Sequence, residues 1–256
     1  MSAPNTQGGS PVSTVALKLV MAGSGLALAA FVLQHMVGNL QVFQGRETYN
    51  AYAEFMQGLG GIKWAARAGL LGVIGLHIVS SIALTRRNKM ARPESYSALK
   101  NRKTGLPALL MLEAGIVVLL FVVYHLAHFT LGVVHADAGF DLVDGSRRDL
   151  YNHFIRSFSP ERWPVVLAYL VANVALAAHL SHGIQSTFKT LGIAVGRWRK
   201  PLELVGPAFG LLILLGNCAM PLAVLSGALA EESSQHSPTA DTQGADPTTA
   251  KEAESR

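Results

Sequence analysis

The chain has 256 residues, half of them hydrophobic and 14% charged, with a mean hydropathy of +0.33. That composition excludes an ordinary soluble domain, in which about a quarter of the residues are charged. The single cysteine, Cys218, excludes a disulfide framework, a cysteine-ligated iron–sulfur cluster and covalent haem attachment.

A membrane-crossing helix needs about 20 mostly apolar residues. Five segments meet this requirement: Val15–Phe43, Lys63–Thr85, Leu106–Val134, Pro164–Lys189 and Leu202–Leu229. The predicted fold is all-α, an integral membrane bundle of five helices over residues 15–229. A short segment, 1–14, precedes it, and an acidic tail, 230–256, follows; the tail lacks apolar periodicity and is expected to be disordered. No basic residue precedes Lys18, and the first apolar run is longer than a signal-peptide core, so helix I is expected to stay in the mature protein.

Helix I carries His35 and the small-residue run "AGSGLALAA"; helix II carries "GLLGVIG" and His77. Small residues at that spacing let helix backbones approach. The next loop holds Arg86, Arg87, Lys89, Arg92, Lys100, Arg102 and Lys103 against one acid, Glu94. Helix III has Glu113 at its start and His125 and His128 in "VVYHLAHFTLG". The loop to helix IV mixes Asp137, Asp141, Asp144, Asp149 and Glu161 with four arginines. Helix IV opens at Pro164, a first-turn proline, and carries His179 and His182 in "ALAAHLSHGIQS". Lys189, Arg197, Arg199 and Lys200 follow, and helix V closes the bundle. Lysine and arginine concentrate in the loops after helices II and IV, so the N-terminus is expected in the cytoplasm and the C-terminus outside. The pI near 9.5 reports those loops and points to no nucleic-acid partner.

Histidines at membrane depth are costly and mark a site facing the bundle interior. A single one is explained as well by an interhelical hydrogen bond, but four helices here each carry one. Counting about 1.5 Å per residue, His35 and His125 fall in the outward parts of helices I and III. His77 and His179 fall in the inward parts of helices II and IV. Facing imidazoles on different helices, with no acid beside either pair, suit axial ligation of haem iron. The expectation is two b-type haems stacked across the membrane. Spacing of three residues leaves His125 and His128 on one helical face, so periodicity leaves the choice between them open, as it does between His179 and His182. The members not used would pack or hydrogen-bond a propionate or quinone.

The segments "FVLQHMVGNLQVF", "GLHIVSSIALTRRNK", "LLFVVYHLAHFTLG" and "AHLSHGIQSTFKTLGI", with the loop "YNAYAEFMQGLGGIKW", resemble the cytochrome b subunit of the succinate dehydrogenase/fumarate reductase family. The resemblance is to the bacterial five-helix, two-haem form of cytochrome b558 type, and spans about Ser13 to Leu229. It implies that His35 and His77 are haem ligands, that the aromatic residue before the ligand selects His125 after Tyr124, and that the pattern His179, Ser181, Gly183 selects His179. It also implies pairing of helix I with III and of helix II with IV. The family's function is implied with it. A flavoprotein (FAD) subunit and an iron–sulfur subunit on the cytoplasmic side exchange electrons with succinate or fumarate, and the cytochrome passes them to menaquinone or another quinone in the bacterial inner membrane.

Quinone chemistry exchanges two protons per turnover and calls for a nearby acid or imidazole. Glu54, after helix I, resembles in position an acid found near the outer haem in some members, and Glu113 is the one carboxylate inside an apolar run. The alternatives are a solvated loop acid for Glu54 and pairing with Lys18 or a loop arginine for Glu113. Where some fumarate reductases carry a glutamate two residues before the helix IV ligand, this chain has Ala177. Ser24, Lys189 and Arg86 are candidate propionate contacts, Ser24 through the resemblance and Lys189 alternatively as a snorkelling cation. Rival readings are a di-metal membrane hydroxylase, a proton-relaying transporter, and the anchor of a hydrogenase or formate dehydrogenase. The first wants its histidines at one depth, and the second would be favoured by broken helices or inverted repeats.

Overall fold

The computed structural model describes residues 12–91, 111–139, 142–143 and 147–232. The structure is built from seven helices among these residues: α1 Thr14–Asn39, α2 Arg46–Gly58, α3 Gly60–Met90, α4 Met111–His125, α5 Leu150–Ser157, α6 Trp163–Thr190 and α7 Arg199–Leu225. Five stretches are long and apolar enough to cross a membrane: Thr14–Gln44, Gly60–Met90, Met111–Thr130, Pro160–Thr190 and Gly196–Leu225. This is the architecture of a multi-pass membrane protein. The beginning of the predicted third span, Leu106 to Leu110, lies outside the described residues, as do Arg92, Glu94, Lys100, Arg102, Lys103, Pro107, Asp141, Asp144 and the tail beyond Glu232. The third span also ends at Thr130 rather than Val134, where the chain leaves the helix and Gly132 takes a positive φ of 65°.

Local chemistry sets the helix ends. Ser13 caps α1 by accepting from the Ala16 amide at 3.1 Å, which satisfies one of the orphan donors of the first turn. Gly45, at φ 91°, turns the chain from α1's terminal 3-10 turn into α2. Pro164 sits in the first turn of α6, as expected. Pro207 and Pro221 lie inside α7. The only strand pairing among the described residues is a two-residue ladder, Leu142–Val143 against Arg147–Arg148.

Most large apolar side chains of α1, α3 and α4, among them Phe31, Leu71, Val79, Leu120 and Val123, face outward, as helices in lipid do. α1 packs on α3 and α6, α4 on α6, and α6 runs along α7. The α6/α7 contact is made close by glycine. A Cβ at Gly206 would run into the Ser181 carbonyl, and one at Gly210 into the Ser181 hydroxyl and to within 2.6 Å of the Ala177 carbonyl. Gly69, Gly72 and Gly75 of "GLLGVIG" behave otherwise, for a Cβ there meets nothing within 4 Å. The close helix approach expected at that stripe is thus found on α7, whose G-x-x-x-G pair the pattern of small residues fits equally well. Gly210→Val is accordingly expected to cost about 1–3 kcal/mol by overpacking against backbone, with a lowered melting temperature in detergent. Gly72→Ala should leave the melt unchanged or raise it.

The loop before α6 is more than a charged connection. α5 buries Tyr151, Phe154 and Ile155, and with Phe158 they cover Val165, Val166 and Tyr169 of α6 and Met220 and Val224 of α7. The start of the tail is docked as well, with Asn152 bonded both ways to the Glu232 backbone (2.9 and 3.0 Å) and Arg156 paired with Glu231 at 3.0 Å. Glu231 and Glu232, assigned to the tail by sequence, are thus held against α5.

Candidate functional site

The four deep histidines meet as two pairs. His35 of α1 and His125, the last residue of α4, have ring centroids 5.7 Å apart with planes at 87°. His77 of α3 and His179 of α6 are 6.3 Å apart with planes at 75°. The pairs stand at different depths. Ser24, which touches His77, precedes His35 by eleven residues on α1, and Gly115, which touches His179, precedes His125 by ten on α4. At about 1.5 Å per residue both helices separate the levels by about 15–17 Å.

At the His77–His179 level, the Ser24 hydroxyl donates to the Met21 carbonyl at 3.2 Å and lies 3.2 Å from His77 Nδ1. A hydroxyl has one proton, so with that proton on Met21, Ser24 accepts from His77 Nδ1–H. This leaves Nε2 with its lone pair, the tautomer a metal needs. Ser24, a candidate propionate contact by sequence, lies within hydrogen-bonding distance of this histidine. Glycines make room for the rings. A Cβ at Gly25 would come within 3.2 Å of His77 Cε1, and one at Gly115 within 3.3 Å of His179 Cε1. His179 Nδ1 is buried without a partner in hydrogen-bonding geometry.

At the other level aromatic rings replace glycine. Phe31 stacks on His35, and Phe121, Phe129 and Tyr169 surround His125 at 5.5–6.1 Å. His128 meets Phe129 and Tyr169 as His125 does, but is buried further into the loop side of the bundle. A π turn over Leu126–Thr130, closed by Leu131 N–H donating to the Leu126 carbonyl at 2.9 Å, widens the helix immediately after His125. In this wider turn His128 lies against Tyr124, His135, His153, Phe158 and Tyr169, and Tyr169 is the ring it shares with His125. There it is wholly buried, whereas His35 is exposed and His77, His125, His179 and His182 are half-buried.

These features suit an ion held between two imidazoles. Ring centroids 5.7 and 6.3 Å apart bring the two imidazoles of each pair close enough that they could share one ion. Each pair comes from two different helices, and each ring retains accessible surface. The two imidazoles at each level are of the donor type that would hold haem iron. Comparison with protein families, with curated proteins and with solved structures finds no match.

The remaining candidates are peripheral to the paired rings. Lys189 and Arg86 are exposed near the ends of α6 and α3. Glu113 is exposed on α4 and forms no ion pair with Lys18 or any other described residue. Glu54 sits on the exposed side of a helix, α2, rather than in a loop. Ala177 is buried beneath Gly210. Tyr169, Phe121 and Gly115 were not singled out by sequence, although each lies one helical turn, or nearly three, from a deep histidine.

Proposed function

We propose that this chain is the diheme cytochrome b anchor of a bacterial succinate:quinone oxidoreductase, exchanging electrons between an iron–sulfur subunit and membrane quinone. The observation that carries the reading is the meeting of four histidines from four helices as two pairs at two depths. Haem b bound at each level would supply a one-electron carrier, giving two along the membrane normal. His35 and His125 hold one iron, His77 and His179 the other. Ser24 fixes the His77 ring in the ligating tautomer, and Gly25 and Gly115 leave space for the rings beside them.

The end bearing Arg86, Arg87, Lys189 and Arg197 faces the cytoplasm, as positive-inside topology requires, and meets the iron–sulfur subunit with its flavoprotein partner. Glu54 is the candidate proton donor for quinone at the His35–His125 end, and Glu113 at the opposite end. Lys189 and Arg86 lie where cations would meet propionates. A pyridine haemochrome assay on the purified complex, with dithionite-reduced minus oxidised spectra, should give about two protohaem per chain and two six-coordinate low-spin components. A folded, assembled preparation without haem would remove the proposal.

A further inference from the structure

We infer that Tyr169, backed by His128, is the positioning residue that fixes the His125 imidazole and holds down the reduction potential of the haem at the His35–His125 level. The inference rests on the reading of His125 as a haem ligand.

Tyr169 Oη lies 3.4 Å from His125 Nδ1 and 3.0 Å from His128 Nδ1. One phenol thus bridges two imidazoles through the same ring atom of each. Iron bound at His125 Nε2 leaves the ring proton on Nδ1, which can only donate. Tyr169 then accepts from His125, and its own O–H donates to His128 Nδ1. The His128 proton therefore sits on Nε2, and that atom is buried with no hydrogen-bond partner. The opposite order of protons would place one on His125 Nε2 and close that nitrogen to metal.

Tyr169 is held for this role. It is 5% exposed, and Phe121, Tyr124, Phe129 and Phe158 pack edgewise on it at 4.9–6.2 Å. The other level repeats the pattern with different parts: His77 Nδ1–H to the Ser24 hydroxyl, and that hydroxyl to the Met21 carbonyl. In both places the ring N–H ends on a hydroxyl whose own proton is directed onward. A hydroxyl that donates onward is the stronger acceptor. A hydrogen bond from the non-ligating nitrogen makes the imidazole a more basic ligand, which favours ferric over ferrous iron and lowers the potential.

The test is a redox titration of the purified complex, with the low-spin ferric EPR signal of each haem, for wild type, Tyr169→Phe, His128→Ala and His128→Asn. Tyr169→Phe should move the reduction equilibrium of one haem about tenfold toward the reduced form, which for one electron is about 59 mV upward. His128→Ala should move the same haem in the same direction by less. His128→Asn presents Oδ1 near the former Nδ1 and should restore the wild-type value. The haem at the His77–His179 level should not move.

Two haems present with both midpoints unchanged in Tyr169→Phe and His128→Ala would make Tyr169 a packing residue and overturn the inference while leaving the diheme reading intact. Equal shifts at both haems would overturn it too. A wild-type preparation without haem would remove the functional reading and this inference together. If Tyr169→Phe fails to assemble, the His128→Ala and His128→Asn pair decides the same question.

Discussion

Replacing His35 or His125 with alanine is expected to remove one and the same haem, and replacing His77 or His179 the other, so that each variant retains about half of the wild-type haem. The pairing follows from the geometry: 5.7 Å between the first two rings, 6.3 Å between the second two. The levels are about 15–17 Å apart along the helices, so no histidine of one level can replace a lost ligand of the other. A crossed double variant such as His35→Ala with His179→Ala should lose both haems, whereas His35→Ala with His125→Ala should lose no more than either single change. His128→Ala and His182→Ala should keep both haem spectra. The haemochrome ratio and the reduced-minus-oxidised bands of purified, assembled complex read all of these. Should His128→Ala lose a haem while His125→Ala keeps two, the π turn would have to relax to an α-helical path and the roles of these residues would be exchanged.

The spans were legible because a long apolar run has few other uses, and the depth of each histidine followed from counting along those runs. His35 and His77 each had one candidate per helix, and their levels with His125 and His179 could be read from helix direction. What periodicity did not carry was the turn at Leu126–Thr130, because a π turn leaves no mark in a hydrophobic pattern that continues through it. The short helix α5 was obscured differently. It lies in the charged loop to helix IV, among Arg147, Arg148, Asp149 and Arg156, while the spacing of Tyr151, Phe154, Ile155 and Phe158 is that of a buried helical face. The glycines show the limit of local pattern most directly. Gly69, Gly72 and Gly75 have the small-residue spacing without a neighbour, Gly206 and Gly210 have both, and only the packing of α6 on α7 distinguishes them.

Asp149→Ala should be the most destabilising change away from the histidines, at about 3–5 kcal/mol, the usual cost of removing one partner from a buried ion pair. Its carboxylate is 1% exposed and accepts from Arg46 Nε at 2.8 Å, Asn50 Nδ2 at 3.0 Å, the Asn152 amide at 3.1 Å and Asn152 Nδ2 at 2.9 Å. It thereby caps α5 and ties it to α2, while Asn50 Oδ1 accepts from the Leu150 and Tyr151 amides. The apolar face of α5 closes over Tyr169, so loosening the clasp should also loosen the cage around His125 and His128. Asp149→Asn keeps an acceptor for the helix cap but loses the charge pairing with Arg46, and should cost less. The same contacts set the pH dependence. Burial alone would raise the Asp149 carboxyl, but the hydrogen bonds from Asn50, the Asn152 amide and Arg46, with the Arg46 charge, outweigh it and lower the folded value. A folded pKa below the unfolded one, about 3.9, gives stability that is fully present above that unfolded value. It is lost as pH falls through the folded value. Thermal melts in detergent from pH 7 down to about pH 3 should therefore show wild type converging on Asp149→Asn only at the acid end. A melt of Asp149→Ala that coincides with wild type at neutral pH would mean that the apolar face of α5 holds the helix without the clasp.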